Sequence, residues 1–155
     1  IGHLQTNKVR MIMPYVSLIH SVDSERLLRL IDAEAARINK LVDVLLQVHV
    51  AQEETKFGFT PDELLQFVES GVINELTNVR VVGVMGMATN TDDVNRITED
   101  FKAINQTFKN ARALLKENKD FAQISMGMSD DYQLAIENGS TMVRIGSTIF
   151  GYRQY

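Results

Sequence analysis

The chain has no cysteine in its 155 residues, which removes disulfides and thiolate metal sites together and agrees with a reducing compartment. It has no excess of positive charge either. Lys and Arg number 16 against 20 Asp and Glu, a formal net charge of −4, so the broad basic footprint of a nucleic-acid binder is missing. No apolar stretch approaches the roughly 20 residues that cross a bilayer. No His/Asp/Glu cluster has metal-ligand spacing, and no Ser/His/Asp order suggests nucleophilic catalysis. What remains is ordinary globular composition, 45% hydrophobic and 23% charged, in a length that suits a single domain, 1–155, with a sizeable core.

Strand-like and helix-like segments alternate without a linker, internal repeat or low-complexity stretch. The clearest strand is Leu41 to Val50, where Val42, Val44, Leu46, Val48 and Val50 share one face and Asp43, Leu45, Gln47 and His49 the other. Tyr15–His20, Val79–Met85, Phe121–Ser125 and Met142–Arg144 are further β-rich runs. Between them lie helices. Asp23 caps one whose buried stripe is Leu27, Ile31, Ala35 and Ile38. Thr60-Pro61-Asp62-Glu63 is a capping box with Pro at the first helical position, and Gly71 ends that helix. The longest helix runs from about Asp92 to Asn118, with Val94, Ile97, Phe101, Ile104, Phe108, Ala111 and Leu115 at spacings of three and four. Ser129 caps a short helix through Ile136 that stops at Asn138-Gly139.

This alternation predicts an α/β fold built of parallel βα units. Five units are too few for a closed eight-stranded barrel, which takes about 250 residues, and Ile1-Gly2 looks like the end of another strand. The pattern leaves two architectures open. One is a complete five-stranded doubly wound sheet. The other is the C-terminal two-thirds of a βα barrel whose opening units are missing.

The chemistry is concentrated in the last third. Ser125-Met126-Gly127-Met128-Ser129 and Gly139-Ser140-Thr141-Met142-Val143-Arg144-Ile145-Gly146-Ser147-Thr148-Ile149-Phe150-Gly151 hold two short apolar runs that each break into a Gly/Ser turn. Small residues let the backbone approach a ligand, and Ser hydroxyls and backbone N–H groups bind phosphate oxygens. Arg144 adds a fixed charge. In both architectures ligands bind at the carboxyl ends of strands, where the turns Gly86-Met87-Ala88-Thr89, Met126-Gly127-Met128-Ser129 and Ile145-Gly146-Ser147 fall. The layout is that of a phosphate cup. Each residue also has a plain structural reading, Ser129 as a helix cap and Arg144 as half of a strand-end salt bridge.

These segments resemble the pyridoxal-phosphate (PLP) homeostasis protein family, the YggS/PROSC-like proteins, which share a barrel with the N-terminal domain of alanine racemase. Ile1-Gly2-His3-Leu4-Gln5-Thr6-Asn7-Lys8, Ile19-His20-Ser21-Val22-Asp23, Gln52-Glu53-Glu54-Thr55-Lys56-Phe57-Gly58 and Gly83-Val84-Met85-Gly86-Met87-Ala88-Thr89 match as well, in the family's order and over the whole chain. The resemblance implies a partial (β/α)8 TIM-type barrel of PLP fold type III with its first strands missing, so an N-terminally truncated chain. It implies pyridoxal 5'-phosphate as the cofactor. Carried onto this sequence, Arg144 faces the pyridine nitrogen. A guanidinium stays protonated and leaves that nitrogen unprotonated, which weakens the cofactor as an electron sink. Gly146 and Ser147 give backbone N–H groups to the phosphate, and Ser129 and Ser125 complete the cup. Met85 and Met87 pack near the ring or simply in the core.

Other positions carry less. His49 stands where family members more often have Asn, and His3 and His20 are read as structural. The family's Schiff-base lysine lies on an early strand, upstream of the matched region, as does a Glu-Asn-Arg segment that also lines its site. Here Lys8 and Lys56 match other motif positions, while Lys102, Lys109, Lys116 and Lys119 lie on or just beyond the long helix, in solvent. The implied function is a cytoplasmic, non-catalytic carrier or buffer of PLP, with transient contacts to PLP-dependent enzymes and self-association through open barrel edges as its partnerships. Nucleic acid and membrane are not expected. The alternative is a PLP-dependent racemase-like enzyme, which needs a second acid/base group opposite the lysine, or a barrel enzyme acting on another phosphorylated small molecule.

Overall fold

In the computed structural model, which describes residues 1–53 and 57–151, five parallel strands follow one another across a single sheet. They are β1 (Leu18–Val22), β2 (Val42–His49), β3 (Val79–Met87), β4 (Gln123–Met128) and β5 (Met142–Arg144), paired in the order β1-β2-β3-β4-β5. A doubly wound sheet reverses its strand order at a switch point. Strictly sequential order is that of a barrel wall, so the pattern's open choice falls on the partial barrel. The helices are α1 (Val9–Ile12), α2 (Glu25–Ala36), α3 (Pro61–Glu69), α4 (Val94–Leu114), α5 (Tyr132–Glu137) and α6 (Ser147–Phe150).

The two faces of the sheet bury different things. Val42, Val44, Leu46 and Val48 of β2 join Val84 and Ile124 in a core with Leu28, Ile31, Phe101 and Ile104 from α2 and α4. The opposite face holds a separate cluster of Leu45, Val82 and Met85, edged by Leu18 and Met87, with no helical residue in it. Among the described residues, the core on one face mixes strands with helices and the cluster on the other is of strand residues, as on the outside and inside of a barrel.

Several boundaries move from their expected places, each for a local reason. The first strand begins at Leu18 rather than Tyr15, because Met13-Pro14-Tyr15 belongs to the turn that closes α1: the Tyr15 N–H donates to Ile12 O at 2.9 Å, and Tyr15 is 87% exposed. Ser24, not Asp23, caps α2 by accepting from the Leu27 N–H, while Asp23 pairs with His3 at 3.1 Å. α2 ends at Ala36, which leaves Ile38 beyond it and exposed. α4 is shorter than the Asp92–Asn118 pattern: Asp93 caps it by accepting from the Asn95 and Arg96 N–H groups, and Val94 falls off the buried stripe. Phe121 lies before β4, fully buried against Phe108. The capping box at Thr60 and Glu63 forms as expected, with Thr60 N–H donating to the Glu63 carboxylate at 2.8 Å and Glu63 N–H to Thr60 Oγ1 at 3.3 Å.

Candidate functional site

The carboxyl ends of β4 and β5 lie side by side, with Ser125 opposite Met142 and Met128 opposite Arg144. That register brings the two Gly/Ser turns together. Ser129, expected to cap the following helix, does not. α5 begins three residues later, and Asp131 takes the turn, its carboxylate accepting from the Met128 N–H at 2.6 Å. The Ser129 hydroxyl is thereby free to reach the β5–α6 turn. There its Oγ accepts from two backbone donors, Gly146 N–H at 3.2 Å and Thr148 N–H at 3.4 Å. Two amides from one turn converging on a single oxygen are an anion-binding concavity. A side chain built on Gly146 would meet nothing within 4 Å, so the space over this turn is open.

Arg144 ends β5 with its guanidinium turned inward. Nη1 donates to Ser125 O at 2.9 Å and to Ser125 Oγ at 2.8 Å, and Nη2 to Gly86 O at 3.0 Å. All three acceptors are uncharged, so the cation's charge is oriented but not neutralised by these contacts. Burial lowers the Arg144 pKa from its ordinary value, with the Asp131 carboxylate acting the other way; a guanidinium remains protonated under such a load. Gly86 is where it is for packing: a Cβ there would lie 2.4 Å from Ile104 Cδ1 of α4. The missing Cβ leaves room for the Ile104 side chain directly behind the residue whose carbonyl Arg144 uses.

Across the barrel from β5, His20 of β1 meets Ser125, with Nδ1 to Oγ at 2.9 Å. Burial first, and the Arg144 guanidinium second, push the His20 pKa down to about 4, so the imidazole is neutral at ordinary pH. These elements surround an open cleft of about 620 Å3 whose lining includes His20, Met87, Ser129, Arg144, Gly146 and Ser147.

Of the expected site residues, Ser129, Arg144, Gly146 and Ser147 line this cleft together. Ser125 and Met85 are fully buried and lie outside the lining: Ser125 supports Arg144 from beneath, and Met85 packs with Leu45 and Val82 in the barrel interior. Met87 lines the cleft instead. His49 turns away, its Nε2 within 2.9 Å of Ala51 O, and His3 stacks on Phe57 with ring centroids 3.7 Å apart. Glu54, Thr55 and Lys56 lie outside the described residues. Among the described lysines, none lines the cleft. Lys40 sits at the far end of the strands, with its ammonium on Met13 O and Val16 O, and Lys102, Lys109, Lys116 and Lys119 are exposed.

Sequence reasoning read His20 as structural, and it singled out the segments that hold Gly86 and Thr148 without giving either residue a role of its own. For His20 a signal existed: alternation along β1 places it on the face of Leu18, which edges the interior cluster.

A family model described as "Alanine racemase, N-terminal domain" matches residues 1–154. The chain is 40% identical over 157 residues to the pyridoxal phosphate homeostasis protein of Aquifex aeolicus, with all of this chain and 66% of that protein covered. It is 36% identical over 156 residues to the pyridoxal phosphate homeostasis protein of Vibrio cholerae, covering 64% of it. The solved structure of PipY from Synechococcus elongatus with PLP bound superposes with a TM-score of 0.82 at 29% identity, over 97% of this chain and 68% of that one. The chain therefore spans 64–66% of the length of these two curated relatives.

Proposed function

This chain belongs to the alanine racemase N-terminal domain family, and from that premise we propose that the protein carrying it binds pyridoxal 5'-phosphate reversibly in the Arg144 cleft, as a non-catalytic carrier that buffers and delivers the cofactor. The observation that carries this is the convergence of the Gly146 and Thr148 N–H groups on Ser129 Oγ, at 3.2 and 3.4 Å. The hydroxyl oxygen stands where a phosphate oxygen would satisfy the same two donors. Ser129, Gly146, Ser147 and Thr148 hold the phosphate, and the guanidinium of Arg144 faces the ring. A fixed cation in a partly desolvated cleft attracts an anionic ligand more strongly than one in water. When bound, the cofactor supplies an electrophilic aldehyde on an electron-poor ring.

The chain's own groups favour holding over turnover. An acid/base role asks for a group that titrates near the working pH, and His20, the imidazole on this cleft, is pushed down to about 4. The names of the relatives and the PLP in the PipY structure support the same reading. A cytoplasmic location, transient contacts with PLP-dependent enzymes, and self-association through the outer strands β1 and β5 belong to the proposal. Among the described residues, no helix is long and apolar enough to cross a membrane.

The test compares two probes on the full-length protein, PLP and pyridoxal, which differ by the phosphate. Two charge-assisted or backbone hydrogen bonds to phosphate make PLP bind at least about tenfold more tightly. Equal affinity would remove the cup from the account. The 155-residue chain alone, incubated with PLP and reduced with borohydride, shows no stoichiometric label at any one lysine by mass spectrometry. A single fully labelled lysine would show that the described geometry omits a covalent anchor.

A further inference from the structure

Arg144 and Ser125 between them fix the position of a proton on His20. A guanidinium only donates, so the Nη1 contact at 2.8 Å makes Ser125 Oγ an acceptor there. Ser125 is wholly buried, and its own O–H needs an acceptor. Among the described residues that acceptor is His20 Nδ1, at 2.9 Å. Were Nδ1 to carry the hydrogen, Ser125 would accept twice and leave its own hydroxyl hydrogen buried and unpaired, a costly arrangement. A neutral imidazole that accepts at Nδ1 carries its hydrogen on Nε2. His20 lines the cleft, and its Nε2 makes no hydrogen bond to any described residue.

We propose that His20 is a ligand-contacting residue whose Nε2–H, fixed in that tautomer by Arg144 and Ser125, donates to an acceptor on the ring side of bound PLP rather than to its phosphate. The side is set by the fold. The phosphate donors come from the turns after β4 and β5, whereas His20 comes from β1 at the other edge of the sheet and flanks Arg144 through Ser125. The inference rests on the reading of this cleft as a PLP site.

Two measurements test it. In the unliganded protein, 15N NMR of the His20 ring at neutral pH shows the Nε2–H tautomer; the Nδ1–H tautomer would overturn the proposal without reference to any ligand. In the full-length protein, the side-chain amide of His20→Gln places a donor near the Nε2 position and that of His20→Asn near Nδ1. PLP affinity, followed by absorbance, stays within about threefold of wild type for Gln and falls about tenfold for Asn, while affinity for inorganic phosphate is unchanged in both. Equal losses for Gln and Asn, or a parallel loss of phosphate affinity, would reduce His20 to a packing residue. If wild type shows no PLP spectrum at all, the cofactor reading fails, and the tautomer still reports separately on the Arg144–Ser125–His20 geometry.

Discussion

Arg144→Met lowers the affinity of the full-length protein for PLP by about tenfold to a hundredfold, the worth of one or two charge-assisted contacts in a partly buried site. The size of the effect follows from how the guanidinium is held. Its two terminal nitrogens are spread over Ser125 O, Ser125 Oγ and Gly86 O, at 2.8 to 3.0 Å, so its position is set by β3 and β4 before any ligand arrives. That preorganisation means little ordering cost falls on binding. Arg144→Lys does not restore affinity, because a single ammonium cannot span three acceptors on two strands with the planar fork of arginine. Absorbance titration measures both variants, with thermal melting as the check that each is folded. An Arg144→Met protein with wild-type affinity would place the ligand elsewhere.

The largest expected loss of stability comes from a residue without a side chain. Gly83 of β3 faces Gln123 of β4, and a Cβ on Gly83 would stand 1.9 Å from the Gln123 carbonyl oxygen and 2.7 Å from its carbon. The clash is with backbone, so no rotamer change relieves it. Gly83→Ala must therefore push β3 and β4 apart where the register with β2 also shifts, between Val44 and Leu45. Overpacking of this kind costs about 2–3 kcal/mol, read as a fall in the urea midpoint. The same displacement would carry Ser125 away from Met85, its partner in the β3–β4 register, and so loosen the support under Arg144. A loss below about 1 kcal/mol would contradict the close strand approach.

How much of this was legible beforehand depends on the range of the interaction. The capping box at Thr60 and Glu63 is a four-residue device, and it forms where the sequence places it. The alternating faces of β2 are equally local, and they hold. What alternation could not encode is strand order, since a barrel wall and a doubly wound sheet share the same period; the order appears only when β1 to β5 are seen to pair in sequence. The proposed cup was half legible. Gly146 and Ser147 were expected in it from their turn, and Ser129 from its spacing and the resemblance. Yet Ser129-Asp130-Asp131 offers three cap residues in a row, and nothing local says that Asp131 takes the turn while Ser129 crosses to Gly146, seventeen positions away. His20 is the extreme case: its partner Ser125 lies 105 residues along the chain, and a lone histidine on a strand reads as structural until that distance closes. Of the two readings open for Met85, near the ring or in the core, the β3 wall takes the second and buries it among Leu45 and Val82.

The central claim is that the turns after β4 and β5 form one phosphate cup, and backbone amide shifts test it most directly. On titrating the full-length protein with PLP, the largest 1H–15N shift changes fall on Ser129, Gly146 and Thr148, whose hydroxyl and two backbone donors converge, and on Ser147 between the two donors, which lines the same cleft. If those four amides stay in place while the first-turn amides of α2 or α3 move instead, the phosphate is bound elsewhere and the account is wrong.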